Sequence, residues 1–234
     1  MLHRRAPRWR NAIDQGQPLS MAEIAIIDYG MGNLRSVAHA IEHVSPQSKV
    51  AVTSDPAEIL KASHVVFPGQ GAMPDCMREL DSRGLRDAVM RSAREKPFLG
   101  ICIGLQMLFD FSEEGNVAGL GILRGKVKRF PQDKMFDSSG EKLKVPHIGW
   151  NQVETCLSHP LWEGIAQGSR FYFVHSYYAE PDDEGIVAAT SRYPFRFASA
   201  VAKGNIFAVQ FHPEKSQSAG LALLRNFSAW NGAI

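Results

Sequence analysis

Short apolar runs alternate with segments of helical apolar spacing in the first half of the chain. Residues 24–28 form a β-branched run that ends at a glycine-rich turn, and apolar residues then recur at helical spacing from Leu34 to Ile41. The alternation continues with strands over 50–53, 65–67 and 98–101 and with helices over 55–61, 85–94 and 104–111. This order predicts βαβ units, and therefore parallel strands with helices on both faces of the sheet.

From about Ile122 the pattern changes to strand and turn signals. Strands are predicted over 125–130, 149–153, 170–178, 185–190, 198–203 and 206–211, and a last helix over 219–230. We therefore expect an α/β fold with an open, mostly parallel doubly wound sheet, helices on both faces and a β-rich C-terminal half. No apolar run approaches the roughly 18 residues of a membrane span, so we expect no membrane partner.

Composition limits the classes of function. The chain has 234 residues, 44% of them hydrophobic, which suits one globular domain. A net charge of +2 from 26 basic and 24 acidic residues provides no strong field for a nucleic acid. Three cysteines without a CxxC pair argue against a disulfide framework or a cysteine-rich metal site, and they fit a reducing cytoplasm.

The first twenty residues are interpreted separately from the fold. They contain four arginines and one acidic residue, Asp14, but no apolar run that could form a signal-peptide core. Because Met21 directly precedes the first predicted strand, we expect 1–20 to be a disordered basic extension, or sequence upstream of the true start, and 21–234 to be the domain. An organellar transit segment is the alternative for this arginine-rich start.

A cysteine lies between two glycines where a predicted strand meets a predicted helix. Residues 100–104 read G-I-C-I-G, the arrangement of the G-x-S-x-G turn that presents a hydrolase nucleophile. Such a turn strains the backbone of the central residue, and the absence of Cβ at Gly100 and Gly104 removes clashes with neighbouring side chains. The start of the helix also favours an anion. Cys102 is therefore a candidate nucleophile, and a buried, inert cysteine is the alternative.

A second candidate pair ends an apolar strand near the C-terminus. Residues 208–214 read A-V-Q-F-H-P-E, so the strand ends in His212, and Glu214 follows two residues later. The carboxyl end of a strand in an open α/β sheet is where ligands bind. Glu214 can hold one ring nitrogen of His212 so that the other faces a thiol. Without Cys102 these residues fit a solvated strand end, whereas together the three predict a Cys-His-Glu triad.

These segments resemble the two signatures of the triad-type (class I) glutamine amidotransferases. The resemblance is carried by G-I-C-I-G-L-Q-M at 100–107 and Q-F-H-P-E at 210–214. Three further segments are similar to one branch of that family, the glutaminase subunit of imidazole glycerol phosphate synthase: D-Y-G-M-G-N-L-R-S at 28–36, P-H-I-G-W-N at 146–151 and Y-F-V-H-S-Y-Y at 172–178. Together they span nearly the whole predicted domain.

The resemblance implies hydrolysis of L-glutamine to glutamate and ammonia. A separate cyclase subunit would use the ammonia to make imidazole glycerol phosphate and AICAR in histidine biosynthesis. Cys102 would attack the side-chain amide, His212 would move the proton, and Glu214 would hold His212. This acyl transfer to a thiol requires neither a metal nor a cofactor, and none is expected.

The resemblance also assigns roles outside the triad. They are an oxyanion hole at Gly69, Gln70 and Ile103, substrate binding by Gln106, His175, Ser176 and Tyr177, and contact with the cyclase through Asn33 and Trp150. Because a glycine peptide plane rotates at little steric cost, we expect the loop at 68–71 to turn its N–H inward when the nucleotide-bound cyclase docks. The structural alternatives are a tight turn at 68–71, a half-buried strand at 172–178, a glycine-rich turn at 29–35 for Asn33 and a core position for Trp150.

Three rival functions fit some of the same residues. Another triad amidotransferase, of pyridoxal phosphate, anthranilate or GMP synthesis, would share the triad but not the segments at 28–36 and 146–151. A redox sensor would use Cys102 as an oxidisable thiol. A γ-glutamyl peptidase would act on peptides without a partner. Labelling of Cys102 by an electrophilic glutamine analogue, and dependence on a cyclase, distinguish these functions.

Overall fold

The computed structural model describes residues 23–136 and 139–233, and its centre is a mixed sheet of 12 strands. The extension assigned to 1–20 lies outside the described residues. The strands are β1 (Glu23–Ile27), β2 (Lys49–Thr53), β3 (His64–Phe67), β4 (Phe98–Ile101), β5 (Phe109–Ser112), β6 (Val117–Ala118), β7 (Leu123–Arg129), β8 (His147–Gln152), β9 (Glu154–Thr155), β10 (Arg170–His175), β11 (Tyr177–Pro181), β12 (Val187–Arg192), β13 (Arg196–Lys203) and β14 (Ile206–Val209). The helices are α1 (Leu34–Val44), α2 (Pro56–Lys61), α3 (Met73–Ser82), α4 (Arg86–Glu95), α5 (Ile103–Met107) and α6 (Gln217–Ala229).

The sheet has a parallel half and a largely antiparallel half. Strands β2, β1, β3, β4 and β14 lie side by side and run parallel. The sheet continues antiparallel through β13 and β11 to β7, with β5 and β6 beyond. Strands β8 and β10 form a separate two-stranded antiparallel sheet. The predicted α/β class, with a parallel, helix-covered half and a β-rich C-terminal half, is confirmed.

Two apolar clusters cover opposite faces of the parallel half. Along β14, Phe207 and Val209 enter the cluster that contains α1 and α6, whereas Ile206 and Ala208 enter the cluster that contains α3 and α4. Successive side chains of a strand point to opposite faces, so a continuous apolar run serves both helical layers. A strand buried on both faces is held firmly, and so are the residues that follow its carboxyl end.

Apart from the two-residue strands β6 and β9, which were not predicted, three elements differ from the sequence prediction. The helix expected over 104–111 ends at Met107, and β5 begins at Phe109. The apolar spacing of this segment fits a helix or a strand, and its pairing with β7 selects the strand. The strand expected over 170–178 is two strands in different sheets, since the chain turns at Ser176. Helix α3 was not predicted, although its buried positions follow the i, i+3, i+4, i+7 spacing of an amphipathic helix.

Candidate active site

Cys102 occupies the turn between β4 and α5 and has a strained backbone. Its φ of 55° lies in the left-handed region, which side-chain-bearing residues rarely adopt. A Cβ at Gly104 would lie 1.8 Å from the Phe67 carbonyl oxygen, and one at Gly100 would lie 3.0 Å from the Ala208 Cβ. The two glycines therefore allow the turn to pack between its neighbouring strands. The predicted strain and the need for flanking glycines are confirmed.

The segment with His212 reaches Cys102 because their strands are neighbours in the parallel half of the sheet. Strand β4 pairs with β14, with Ile101 opposite Val209. The Cys102 N–H donates to the Val209 carbonyl over 2.8 Å, which extends this pairing beyond the strand end. Parallel strands end at one edge of a sheet. Cys102 and His212 consequently line the same cavity, which has a volume of about 260 Å³.

His212 is paired with a buried carboxylate. Its Nδ1 lies 2.9 Å from Glu214 Oε1, and the Glu214 side chain is only 1% exposed. The other ring nitrogen, Nε2, is buried and bonded to none of the described residues. Burial alone would lower the pKa of His212, but the adjacent Cys102 sulfur and the Glu214 carboxylate outweigh burial and raise the pKa. The raised pKa therefore favours an imidazolium beside the Cys102 sulfur.

The turn that carries His212 is anchored from two sides. The His212 N–H donates to the Tyr172 carbonyl over 2.9 Å. The Ser216 hydroxyl donates to the His212 carbonyl over 2.6 Å and accepts the Tyr172 N–H over 3.0 Å. On the helical side, a Cβ at Gly220 would lie 1.9 Å from the Pro213 carbonyl oxygen, so α6 packs directly against the turn. These contacts fix the position of the imidazole relative to β10.

The loop after β3 borders the same cavity. Gln70 and Gly71 line it, together with Ile103. Gly69 is buried, and a Cβ there would lie 2.1 Å from the Tyr29 hydroxyl oxygen and 2.8 Å from the Ile103 Cγ2. Ile103 is the first residue of α5, where the backbone N–H has no partner within the helix. Gln70 and Ile103 thus line the same cavity as the nucleophile, whereas Gly69 packs behind it against Tyr29 and Ile103, with no space for a side chain.

Gln106 is held from within the protein. Its Nε2 donates to the Tyr177 carbonyl over 3.2 Å and to Gln210 Oε1 over 3.0 Å. Within the described part of the chain the side-chain oxygen of Gln106 has no partner, and Gln106 lines the cavity. What this side chain can offer a ligand is therefore a hydrogen-bond acceptor.

His175, Ser176 and Tyr177 all line the cavity, but both ring nitrogens of His175 are engaged inside the protein. Nδ1 lies 2.8 Å from the Tyr177 carbonyl oxygen, and Nε2 lies 2.9 Å from His147 Nδ1. Because a carbonyl only accepts, His175 carries its proton on Nδ1, and His147 donates to its Nε2. Burial lowers the pKa of His175 to about 3 and that of His147 to about 4, which keeps both rings neutral.

Sequence reasoning missed several residues of the site. Glu114 and Lys215 line the cavity and bring opposite charges to it. The Glu114 Oε2 accepts the Met73 N–H over 2.9 Å, which ties it to the start of α3. Gln210 was quoted within a motif but received no role. His147 was also missed, since it meets His175 only through the antiparallel register of β8 and β10, for which no local pattern exists.

A family model described as glutamine amidotransferase class-I matches residues 25–229. The chain belongs to this family. The resemblance stated from the motifs is thereby confirmed. The imidazole glycerol phosphate synthase subunits HisH of Aromatoleum aromaticum and of Nitrosospira multiformis are each 67% identical to this amidotransferase over 210 residues, which is 90% of this chain and 99% of the relative.

Solved structures show the fold of this amidotransferase at low sequence identity. A glutamine amidotransferase superposes with a TM-score of 0.65 at 17% identity and covers 88% of this chain and 99% of its own. A glutamine amidotransferase from Thermotoga maritima superposes with a TM-score of 0.56 at 19% identity, over 82% of this chain and 76% of the other. At such identities the likeness supports the fold alone.

The two residues predicted to meet a partner of this amidotransferase lie at its surface. Asn33 precedes α1 and is exposed, and the adjacent Gly32 packs against the loop at Gly69, where a Cβ on Gly32 would lie 3.5 Å from the Gly69 Cα. Trp150 is 41% exposed, and Ile148, on the same face of β8, is 60% exposed. The alternative of a core tryptophan is therefore wrong. Neighbouring exposed apolar side chains are typical of an interaction surface.

Over 23–136 and 139–233, no group of three or more histidine, cysteine, aspartate or glutamate side chains is placed to hold a metal ion. In those segments no helix is both long and apolar enough to cross a membrane. Cys76, Cys102 and Cys156 are all free thiols.

Proposed function

We propose that this chain is the glutaminase subunit of an imidazole glycerol phosphate synthase. It hydrolyses L-glutamine to glutamate and ammonia and supplies the ammonia to a cyclase subunit in histidine biosynthesis. The observation that carries the chemistry is the strained Cys102 beside the buried His212–Glu214 pair at one cavity. The HisH relatives support the choice of pathway.

The first half of the reaction forms a thioester. The Cys102 sulfur, its proton transferred to His212, attacks the side-chain amide carbon of glutamine and gives a tetrahedral oxyanion. As the C–N bond breaks, the imidazolium donates its proton to the leaving nitrogen, which departs as ammonia. His212 then takes a proton from water, the hydroxide attacks the thioester carbon, and the C–S bond breaks to release glutamate and restore the sulfur anion. Glu214 holds His212 in one orientation and stabilises its charged form throughout.

The oxyanion of both acyl transfers requires donors that are already in place. Backbone N–H groups of Gly69 or Gln70 and of Ile103 are proposed for this role, since Gln70 and Ile103 line the cavity with Cys102 and Gly69 packs against Ile103. One such donor contributes a factor of about 10²–10³ to the rate. Rotation of the 68–71 loop remains our hypothesis for how a partner controls the reaction, and Gly69 favours it because glycine has no side chain of its own to restrict the peptide plane.

The cavity suits a small zwitterion. Glu114 offers a carboxylate to the α-ammonium group of glutamine, and Lys215 offers an ammonium to the α-carboxylate. Gln106 offers its free side-chain oxygen as an acceptor. Ser176 and Tyr177 complete the wall. His175 would act through its backbone and its packing, because both ring nitrogens are already bonded.

The cyclase is proposed to dock on the face of β8 that carries Trp150 and Ile148, and to contact Asn33. The two apolar side chains are exposed on β8, directly after the cavity-lining Pro146. A partner that covers this face would receive ammonia without its loss to solvent. The cytoplasm is the proposed compartment, since a thiol nucleophile and free cysteines persist in a reducing environment.

Labelling with an electrophilic glutamine analogue tests this proposal. We expect one label per chain, located at Cys102 by peptide mass analysis, and protection by excess glutamine. Cys102→Ala should abolish the label, and His212→Asn should slow it. Cys156 is exposed and serves as an internal control for nonspecific alkylation. Labelling confined to Cys156, or labelling of Cys102 that glutamine does not slow, would contradict the proposed site.

A further inference from the structure

Gln210 is a buried amide beside the nucleophile, and the mechanism above gives it no role. It follows β14 directly and is 0% exposed. Its Nε2 lies 3.8 Å from the Cys102 sulfur, within the range of a hydrogen bond to sulfur, and its Oε1 accepts from Gln106 Nε2 over 3.0 Å. The amide thus joins the nucleophile to a residue of the cavity wall.

The orientation of the Gln210 amide follows from its neighbours. The Tyr177 carbonyl only accepts, so Gln106 must turn its NH₂ group towards Tyr177 and Gln210. Gln210 must in turn present its oxygen to Gln106, which leaves its N–H groups on the side of the Cys102 sulfur. The Tyr177 carbonyl also accepts from His175 Nδ1 over 2.8 Å, which holds this acceptor in place. A flipped Gln210 amide would lose its bond to Gln106.

An amide N–H directed at sulfur favours the sulfur anion over the neutral thiol. Such a donor also fixes the direction of the side chain at Cys102, whose backbone is strained. The titratable groups that act on the same sulfur are His212, Tyr29 in the turn after β1, and Cys76 in α3.

The remaining charged groups of the cavity wall are Glu114 and Lys215. We propose that Gln210 is a positioning residue that donates to the Cys102 sulfur and holds it, as an anion, towards the cavity. This inference rests on the proposed function, in which Cys102 is the nucleophile.

The test uses two substitutions that separate the donor from the rest of the side chain. Gln210→Glu keeps an oxygen that can accept from Gln106 but loses the N–H donor and places negative charge beside the sulfur. Gln210→Met removes both bonds at similar volume. Ser199→Ala is the matched control, because it removes a fully buried hydroxyl on the neighbouring strand β13 without altering the amide. All are made in a Cys156→Ser background, so that Cys102 is the reactive thiol.

The readouts are the rate of alkylation by iodoacetamide as a function of pH, and kcat and KM for glutamate release in the presence of the cyclase. In Gln210→Met we expect the pH of half-maximal alkylation to rise by about one unit, and further in Gln210→Glu. We expect kcat to fall about tenfold in Gln210→Glu while KM stays within about twofold. Ser199→Ala should match the background in every readout.

The alkylation profile decides the proposal. Coincident profiles for Gln210→Glu and the background would overturn it, even with a reduced kcat, because a merely structural amide does not act on the sulfur. If neither variant folds, the side-chain amide of Gln210 is followed by NMR as a function of pH in the unsubstituted chain. Its proton signals should shift over the pH range in which alkylation is half-maximal, and signals that do not change with pH would overturn the proposal. Failure of the proposed function would give a different result, because the Cys156→Ser background itself would then release no glutamate.

Discussion

His159 is a buried histidine away from the active site, and its neutral state predicts a defined loss of stability in acid. Its Nδ1 accepts the Leu161 N–H over 3.1 Å, and its ring packs against Phe207 and Trp230. Nε2 is buried and bonded to no other residue in the described ranges. Burial lowers the pKa of His159 to about 4.

The sign follows from the protons bound in each state. Unfolded histidine, with a pKa of about 6.5, binds a proton as the pH falls, whereas folded His159 stays neutral until about pH 4. The contribution of His159 to stability is therefore intact above the unfolded pKa and is lost as the pH falls towards the folded one. From about pH 8 to about pH 5 the loss amounts to about 2 kcal/mol.

The substitution His159→Asn isolates this effect. Asparagine keeps an acceptor for the Leu161 N–H at this helix-capping position but does not titrate. Urea unfolding gives the free energy of unfolding of the variant and of the original chain at about pH 8 and at about pH 5. The difference between the two chains should change by about 2 kcal/mol in favour of the variant at the lower pH. His39→Asn, on the exposed side of α1, controls for removal of a histidine. Parallel pH dependences of the original chain and His159→Asn would refute the reasoning.

Three further substitutions test the packing and the triad. Gly104→Ala places a Cβ 1.8 Å from the Phe67 carbonyl oxygen, so the free energy of unfolding should fall by about 3 kcal/mol. A fall of less than about 1 kcal/mol in urea unfolding would count against the close approach of Gly104 to Phe67. Glu214→Gln keeps the shape of the side chain but removes the charge that orients His212, so glutaminase kcat should fall by a factor of about 10²–10⁴ at an unchanged melting temperature. A near-normal kcat would exclude this orienting role of Glu214. Lys96→Met removes two hydrogen bonds, of 2.7 and 2.8 Å, to carbonyls at the end of α2, and should lower the free energy of unfolding by about 1–2 kcal/mol. Unaltered urea unfolding of that variant would contradict the capping role.

The nucleophile turn could be predicted because its determinants are local. Glycines two residues on either side of Cys102, a preceding apolar run and a following helical pattern are all contained in about ten residues of sequence. The apolar run that leads to His212 is equally local, although β14 itself ends at Val209. Parallel pairing of β4 and β14 then brings the two together, and the βαβ order had already indicated that kind of sheet.

The rest of the site depends on pairing between distant segments. His147 meets His175 only because β8 and β10 pair in one register, and a shift of one residue would place the two rings on opposite faces. Gln106 and Gln210 are 104 residues apart, and nothing in either segment signals their contact. The end of α5 at Met107 is likewise decided by β5 pairing with β7, which local spacing cannot show.

The central claim is that this chain hydrolyses glutamine on behalf of a cyclase. The most direct measurement is glutamate release from glutamine by the purified chain, alone and with an imidazole glycerol phosphate synthase cyclase subunit and its nucleotide ligand, with Cys102→Ala as the control. We predict a large rise on addition of the liganded cyclase that disappears in the variant. Full activity without the cyclase would indicate an autonomous amidase, and no glutamate under either condition would contradict the assignment.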